Sequence, residues 1–437
     1  AESGRLGIYE WLRYPWFPYN YQLLYAAALQ VDGDTFPHLL NALAGWLGAL
    51  LVYRLGARHA DRATAALGAA IWLVLGDYSD ALIDLGVALF VLAACVALWR
   101  WRESARGKGL CWLALGAFFL GVAAGSKYQA LTFLPPVALF VVLRERRPRA
   151  WLLAAAAFLL PCVYWYARNA VATGDPFNPI GARVFGFTNW NAFDYAQQLA
   201  DVRAHAAWPS VLIWPVLLAP FSAAWKSSAA LRAAGWLCVW SVLVWVATSR
   251  YPRYLTAAYP LLALMSAVGW GVLARWLWAR ASATLRRPAA LRTGTLWVLL
   301  AGVALASLQQ SRSTVVAIAV TPAERTAFLR QAVPGYAVMD YLRQHAGGRV
   351  YQIALSEAIY YGPTPVWGDA IGPWRYIDFI TLPPAEMAAK LSRLGFTAIA
   401  LPTTFLPLLE KSGFEAHFKP MYDADHARAY RIIPPAP

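Results

Sequence analysis

Long apolar runs recur along the first three-quarters of the chain, and they constrain its fold more than any other feature. A bilayer core requires about 20 mostly apolar residues per helix. Ten stretches meet or approach that length, so we predict ten membrane spans. The predicted spans are residues 36–55, 63–76, 80–100, 110–126, 128–143, 151–167, 208–224, 231–249, 254–274 and 293–311. A further stretch from Tyr19 to Val31 is too short to span and is predicted to lie as a helix at the membrane interface.

The composition agrees with a membrane protein. The chain has 437 residues, of which 59% are hydrophobic and 14% are charged, with a mean hydropathy of +0.44. Soluble domains have about 45–50% apolar and about 25% charged residues, so a simple soluble enzyme and a disordered chain are excluded. The four cysteines lie far apart in apolar runs without metal-binding spacing, which predicts small buried side chains.

Basic residues between the spans predict the orientation. The net charge is +15, and residues 1–312 carry +14 of it. Loops on one side of the predicted spans contain 18 basic and three acidic residues, and the positive-inside rule assigns that side to the cytoplasm. Because these charges form short clusters between apolar runs, they indicate membrane orientation rather than nucleic-acid binding. Because ten is an even number of spans, Ala1 and the C-terminal tail are both predicted to lie outside. An N-terminus outside needs a signal for export, and the sequence shows no signal peptide, which favours a first span that is missing from this sequence.

Three regions follow from these patterns. Residues 1–35 are predicted to form an outer loop with the interfacial helix, residues 36–311 the transmembrane domain, and residues 312–437 a small extracytoplasmic α/β domain. Residues 313–437 contain 11 basic and ten acidic side chains, as a soluble domain does. Within this tail we predict strands at 348–355 and 396–402, an amphipathic helix at 385–395 and a hairpin at 414–433.

Two carboxylates at the start of the third predicted span are the strongest functional candidates. In GDYSDALIDLGVALF, Asp80 and Asp84 are four residues apart, which places them on one helix face. A charge within a span is expensive and is a functional hypothesis by default. The pair therefore requires a cation, a basic partner or a shared proton. Solvated carboxylates at a helix end are the alternative, and that explanation suits Asp80 better than Asp84.

Basic residues stand at the outer ends of other spans. Lys127 in AAGSKYQAL lies at the break between the fourth and fifth spans. It either binds an anion, such as a phosphate, or extends its ammonium group to the lipid headgroups. Arg250 and Arg253 occur in SRYPRYLTAAYP, and Arg is suited to bidentate phosphate contacts. Tyr251 and Tyr254 beside them either stack on a sugar or belong to an interfacial aromatic belt.

A long outer loop follows the sixth span. It covers residues 168–207, begins with Arg168, and contains Trp190 and Asp194. Loops of this length tend to be functional or disordered, and the aromatic content favours an ordered, functional loop. Asp423 and Asp425 in the tail are predicted to form a hairpin turn rather than a metal site. We find no phosphate-binding loop or zinc-protease motif, which leaves a nucleotide-driven pump without support.

Several segments, in order, resemble a known family. They are LRYPWFPYNYQLLYAAAL, DALIDLGVALF, GSKYQALTFLPP, TGDPFNPIGARVFGFTNW and RYLTAAYPLLAL. The chain resembles polytopic glycosyltransferases of the GT-C fold that use polyprenyl-phosphate sugars, and is most similar to bacterial relatives of dolichyl-phosphate-mannose protein mannosyltransferases (glycosyltransferase family 39). The resemblance implies an α-helical polytopic membrane protein with a small C-terminal α/β domain. It also implies a bacterial cytoplasmic membrane location, with the active site facing the periplasm or exterior.

The resemblance also implies roles for the candidate residues. Asp84 would help to organise a metal or the lipid phosphate and acceptor, and Lys127 and Arg253 correspond to basic positions near the donor phosphate. The family's usual catalytic aspartate would fall shortly before Ala1. We add the remaining candidates by position: Asp80 as a second catalytic carboxylate, Arg250 and Tyr254 beside the phosphate, and Arg168, Tyr128 and Trp190 toward the sugar or acceptor.

The expected reaction is attack of an acceptor hydroxyl on sugar C1, with inversion and departure of the polyprenyl phosphate. A divalent cation, Mg²⁺ or Mn²⁺, is an open expectation, and no nucleotide cofactor is expected. The acceptor is a lipid, a glycan or a protein. The principal alternative is a transporter or flippase of lipid-linked saccharides, although the internal inverted repeats common in transporters are not evident. A non-catalytic scaffold is the third hypothesis.

Overall fold

The computed structural model describes residues 7–8, 13–33, 35–76, 78, 81–105, 108–281, 288–315 and 321–435. These residues form two compact units. The first contains Phe17–Asn178 and Leu199–Ser311, and the second contains described parts of Leu6–Trp16, Pro179–Gln198 and Arg312–Pro437.

The helices before the C-terminal tail are α1 (Asn20–Asp32), α2 (Thr35–His59), α3 (Arg62–Leu75), α4 (Asp84–Glu103), α5 (Leu110–Ala124), α6 (Leu134–Arg144), α7 (Pro148–Leu159), α8 (Val163–Thr173), α9 (Ala182–Phe185), α10 (Ala192–Ala204), α11 (Ala223–Ser227), α12 (Ala229–Thr248), α13 (Tyr259–Ala281) and α14 (Pro288–Val315). Three 3₁₀ helices interrupt them: Tyr128–Phe133, Trp214–Phe221 and Pro252–Ala258.

Several of these helices are long and apolar enough to cross a membrane. Within the described ranges there are four: α2, α4, α12 and the continuous stretch Pro252–Ala279. The pair α7 and α8 makes a fifth if it is one span, bent by 69° at its break. Shorter apolar helices coincide with four more predicted spans: Arg62–Leu75, Leu110–Ala124, Tyr128–Arg144 and Thr293–Ser307. The chain is thus a multi-pass membrane protein, as its sequence predicts.

Two predictions about these spans need correction. Residues 208–224 do not form a spanning helix, because Trp214–Phe221 is a 3₁₀ helix with Pro220 inside it, and proline removes a helix hydrogen bond. The third span begins at Asp84 rather than at residue 80, since residues 81–83 are not helical. Asp84 is therefore the first residue of α4. The predicted span therefore does not extend back through residues 81–83, and Asp80, expected to share a helix face with Asp84, lies outside the described residues.

The C-terminal tail is a small α/β domain, as predicted. Its elements are α15 (Pro322–Ala332), α16 (Tyr336–His345), β1 (Arg349–Gln352), β2 (Val366–Trp367), α17 (Ile377–Ile380), α18 (Pro384–Arg393), β3 (Phe396–Pro402), α19 (Leu406–Leu409), α20 (Phe414–His417), β4 (Phe418–Ala424) and β5 (Ala427–Ile432). The strand order is β2-β1-β3-β5-β4, with β1 parallel to β2 and β3, and β5 antiparallel to β3 and β4. Asp425, at the turn between β4 and β5, has a positive φ of 50°.

A buried carboxylate joins two segments of the second unit. Asp194 at the start of α10 is fully buried, and its Oδ2 accepts from Arg375 Nη1 at 2.5 Å. Its Oδ1 accepts from the Gly372 backbone N–H at 3.1 Å. Arg13 similarly pairs with Asp369. These contacts explain why this part of the long loop is ordered, because a buried charge must be paired with a partner.

Candidate active site

Asp84 occupies a position that suits a buried carboxylate. It begins α4, where the unpaired backbone N–H groups and the helix dipole stabilise a negative charge. Its side chain is only 12% exposed. A charge so well shielded needs partners, and the structure supplies two from distant parts of the chain.

Lys127 and Arg253 hold the two oxygens of Asp84 separately. Lys127 Nζ lies 2.5 Å from Oδ1, and Arg253 Nε lies 3.0 Å from Oδ2. Lys127 Nζ also lies 5.5 Å from the centre of the Tyr254 ring. Four predicted site residues therefore meet at one point. Two cations and one carboxylate leave a net positive charge, so this cluster favours a further anion.

Short 3₁₀ helices position the side chains of Lys127 and Arg253. Lys127 immediately precedes Tyr128–Phe133, and Arg253 lies within Pro252–Ala258; each 3₁₀ helix runs into an apolar α-helix. Gly125 allows the chain to approach α1 closely before Lys127, because an added Cβ would lie 2.2 Å from Asn20 Nδ2. Burial lowers the pKa of Lys127, whereas the neighbouring Asp84 charge acts in the opposite direction.

A cavity of about 350 Å³ opens beside this cluster. Its lining includes Asp84 and Arg253, together with Tyr251, Thr256 and Tyr259. It thus combines charged groups with aromatic and hydroxyl groups, the chemistry that recognises a phosphate carrying a sugar. Tyr251 was noted in the sequence, but Thr256 and Tyr259 were missed. They lie three and six residues after Arg253 in the sequence, and this spacing from a candidate residue could have identified them as candidates.

Tyr128 and Arg168 form a second cluster around Asn169. The fully buried Asn169 accepts from Arg168 Nη2 at 3.0 Å through Oδ1, and its Nδ2 donates to the Tyr128 hydroxyl at 2.9 Å. The Tyr128 hydroxyl donates in turn to the Asn178 carbonyl at 3.0 Å. The Arg168 guanidinium also stacks 5.1 Å from the Trp165 ring. Sequence reasoning missed Asn169, although a polar residue in an apolar helix beside Arg168 was a usable signal.

The remaining predicted site residues have other contacts. Arg250 adopts a positive φ of 51°, and its guanidinium lies 5.9 Å from the Trp208 ring, so its described contacts do not include Asp84. Trp190 belongs to the second unit, where its Nε1 donates to the Arg13 carbonyl at 3.1 Å and its ring contacts Tyr14. The functional roles of all these residues remain predictions.

The described side chains do not fit a metal site. Both oxygens of Asp84, the predicted ligand, are already in ion pairs. Nowhere in the described ranges do three or more His, Cys, Asp or Glu side chains form a group that could hold a metal ion. Divalent cations such as Mg²⁺ need several oxygen ligands, and ion-paired Asp84 does not provide them.

Two known protein families and one related protein match parts of this sequence. Residues 18–165 match the family described as dolichyl-phosphate-mannose-protein mannosyltransferase, and residues 324–431 match a family described as SF2091/S2213. A Shigella flexneri protein designated SF2092/S2214 is 27% identical over an alignment of 141 residues, which covers 29% of this chain and 76% of that protein. The matched range 18–165 contains both Asp84 and Lys127.

Solved structures extend the likeness to almost the whole chain. ArnT from Cupriavidus metallidurans in the apo state matches 94% of this chain and 87% of its own, with a TM-score of 0.56 at 15% identity. The structure of the same ArnT bound to undecaprenyl phosphate matches 95% of this chain and 87% of its own, with a TM-score of 0.54 at 16% identity. The chain is a membrane glycosyltransferase of the GT-C fold. An Archaeoglobus fulgidus oligosaccharyltransferase, tethered with an acceptor peptide, has a TM-score of 0.51 at 12% identity, covering 97% and 67% of the two chains.

These findings confirm the predicted family resemblance, fold class and enzyme class. Structural likeness at such low identity shows the fold, and the family match adds the enzyme class. Together they support a membrane glycosyltransferase of the GT-C fold. The sugar, the acceptor and the roles of individual residues in this glycosyltransferase belong to the proposal below.

Proposed function

We propose that Lys127 and Arg253 bind the phosphate of a polyprenyl-phosphate sugar donor, and that the enzyme transfers this sugar to an acceptor hydroxyl. The observation that carries the proposal is the joint pairing of both cations with Asp84, which leaves the cluster one positive charge in excess. The adjoining cavity next to Tyr251 and Tyr259 accommodates the sugar. Undecaprenyl phosphate, which the solved ArnT structure contains, is a ligand of this chemical type.

The chemistry follows from these charges. The acceptor hydroxyl attacks sugar C1, the bond from C1 to the phosphate oxygen breaks, and the polyprenyl phosphate leaves with the electron pair. Lys127 and Arg253 stabilise the negative charge that develops on this leaving group. Because both oxygens of Asp84 are held by cations, we assign Asp84 the role of positioning these cations. A second carboxylate takes the hydroxyl proton, and Asp80 remains a predicted candidate for it.

Arg168 and Tyr128 are proposed to lie toward the sugar or acceptor. Tyr128 directly follows Lys127, and Asn169 connects its hydroxyl with the Arg168 guanidinium. A group bound at Arg168 is therefore connected, through the hydrogen bonds of Asn169 and Tyr128, to the segment that carries Lys127. The acceptor is a lipid, a glycan or a protein. Trp190 stays a predicted acceptor contact.

The proposed location is the bacterial cytoplasmic membrane, with Asp84 at its outer side. Basic residues collect at the opposite helix ends: Arg58 at the end of α2, Arg102 at the end of α4 and Arg144 at the end of α6. The positive-inside rule places those ends in the cytoplasm. The donor phosphate would then be bound, and the sugar transferred, on the periplasmic or exterior side.

A donor panel tests the function. The protein would be reconstituted in liposomes with radiolabelled polyprenyl-phosphate hexoses and pentoses, and with lipid and glycan acceptors. Transfer of label from one donor, with release of polyprenyl phosphate, is the expected result. Passage of intact labelled donor across the bilayer without transfer would instead identify a flippase. Binding of donor without either event would favour the scaffold hypothesis.

Removal of divalent cations should leave activity within about twofold of the untreated enzyme. The reason is that the ion-paired Asp84 supplies no free ligand oxygen for a metal. Transfer would be measured before and after treatment with EDTA, and after addition of excess Mg²⁺ or Mn²⁺. A loss of activity that either ion restores would contradict this expectation and show that the enzyme uses a bound metal.

Replacement of Asn169 by Leu should destabilise the protein and weaken acceptor use. The variant removes the buried hydrogen bonds of Asn169 with the Tyr128 hydroxyl and the Arg168 guanidinium, a loss that costs about 1–3 kcal/mol. We expect a lower midpoint of thermal unfolding and a higher KM for the acceptor, with donor binding changed less. Thr248→Val is the control, because the Thr248 hydroxyl donates within its own helix. A larger rise in the donor KM than in the acceptor KM would contradict this expectation and place the cluster toward the sugar.

A further inference from the structure

A second cavity in the first unit has an almost wholly apolar wall. Its volume is about 430 Å³, and it lies between α4, α6 and α12. The wall includes Leu98, Val137, Phe140 and Leu237, and its side chains with polar atoms are confined to His59, Cys95, Trp99 and Trp236. The flanking Leu143 and Trp236 are largely exposed, at 75% and 68%. A cavity with few polar partners retains no ordered water and suits a hydrocarbon chain.

This cavity lies in the half of the membrane opposite to the candidate active site. Asp84 begins α4, and Trp99 follows it by fifteen residues, which is about 22 Å at 1.5 Å per residue. The hydrocarbon core of a bilayer is about 30 Å thick. Leu231, near the start of α12, lies on the same wall, whereas Arg250 follows the other end of that helix. The rim near Trp99 therefore faces the leaflet remote from Asp84.

Basic residues lie near His59, which lines one end of the cavity. Ser228 Oγ lies 3.2 Å from His59 Nδ1, which brings the start of α12 against the end of α2. Lys226 precedes this contact by two residues, and Arg100 lies close enough to His59 for its charge to act on it. Lys226 and Arg100 are exposed, and neither forms an ion pair with a carboxylate in the described chain. Arg58, in contrast, is paired with Glu103 at 2.9 Å.

We propose that this cavity is a binding site for an anionic phospholipid of the leaflet remote from Asp84. One acyl chain occupies the apolar cavity, and the phosphate lies between Arg100 and Lys226. An anionic headgroup is favoured because Arg100 and Lys226 pair with no carboxylate among the described residues, and the nearby Glu103 is already neutralised by Arg58. The proposal does not rest on the transfer reaction, because the donor phosphate is assigned to the other end of the helices.

The test measures lipid binding to the purified full chain by native mass spectrometry. Phosphatidylglycerol is compared with phosphatidylcholine that carries the same acyl chains. We expect one tightly bound phosphatidylglycerol and weaker phosphatidylcholine binding. The double variant Arg100→Gln/Lys226→Gln should lower the affinity for phosphatidylglycerol about 25-fold, or about fivefold for each cation. Ala234→Phe, which fills the cavity, should abolish the bound lipid.

Matched controls are Arg149→Gln, an exposed basic residue of α7, and Ala155→Phe, an exposed alanine of α7. Both should bind phosphatidylglycerol like the unchanged protein. Equal binding of the two phospholipids, or unchanged affinity in the double charge variant, would overturn the proposal. So would displacement of phosphatidylglycerol by equimolar polyprenyl phosphate, since the cavity would then hold the donor's tail. If Ala234→Phe does not fold, the affinity of the double charge variant for phosphatidylglycerol alone tests the proposal.

Discussion

Replacement of Lys127 by Gln is expected to lower kcat/KM for the polyprenyl-phosphate sugar by about 10²–10³-fold, the effect of removing one group that stabilises a developing charge. Gln keeps most of the side-chain volume but loses the positive charge. The charge matters most as the phosphate leaves, so kcat should fall more than KM rises. Initial rates of transfer across a range of donor concentrations would separate the two constants.

Lys108→Gln is the control for this variant, because Lys108 is an exposed lysine in the same unit. Its activity should stay within about twofold of the unchanged enzyme. A Lys127→Gln enzyme with an altered acceptor KM and an unchanged response to donor would contradict the assignment. Lys127 would then serve the acceptor, and Arg253 would have to bind the phosphate without it.

The sequence was sufficient to single out the charged residues of the cluster as candidates, because the argument depended on a local cost. A lysine or aspartate within or beside an apolar run must find a partner, whatever the topology. Asp84, Lys127 and Arg253 were each chosen in this way, although 43 and 169 residues separate Asp84 from its partners. The identity of these pairs required the fold, since nothing local links the start of α4 to the 3₁₀ helix Pro252–Ala258.

The sequence was less informative about helix ends and non-local contacts. Apolar composition alone suggested a span at 208–224, but the prolines at 215 and 220 favour the observed 3₁₀ helix. The start of α4 at Asp84 likewise depends on tertiary packing, because no side chain at Ile83 caps the helix. Trp190 was grouped with Arg168 by proximity in sequence, whereas the contacts that hold it are with Arg13 and Tyr14 of another segment.

Replacement of Asp84 by Asn is expected to separate donor binding from turnover. The variant removes both ion pairs and leaves Lys127 and Arg253 close together without their shared carboxylate. Removal of one partner from a buried ion pair costs about 3–5 kcal/mol, so the unliganded protein should unfold at a lower temperature. An added phosphate relieves the repulsion between the cations, so the variant should bind polyprenyl phosphate more tightly than the unchanged enzyme does.

Turnover should nevertheless fall by about 10²–10³-fold, because the cations no longer hold the positions that suit the leaving phosphate. Thermal unfolding with increasing polyprenyl phosphate, measured beside initial rates of transfer, would show both effects. Asp201→Asn, which changes a half-exposed aspartate of α10, is the control and should alter neither. If Asp84→Asn weakens polyprenyl phosphate binding instead, Asp84 does more than position cations. A direct contact with the substrate, or a metal bound through it, would then be required.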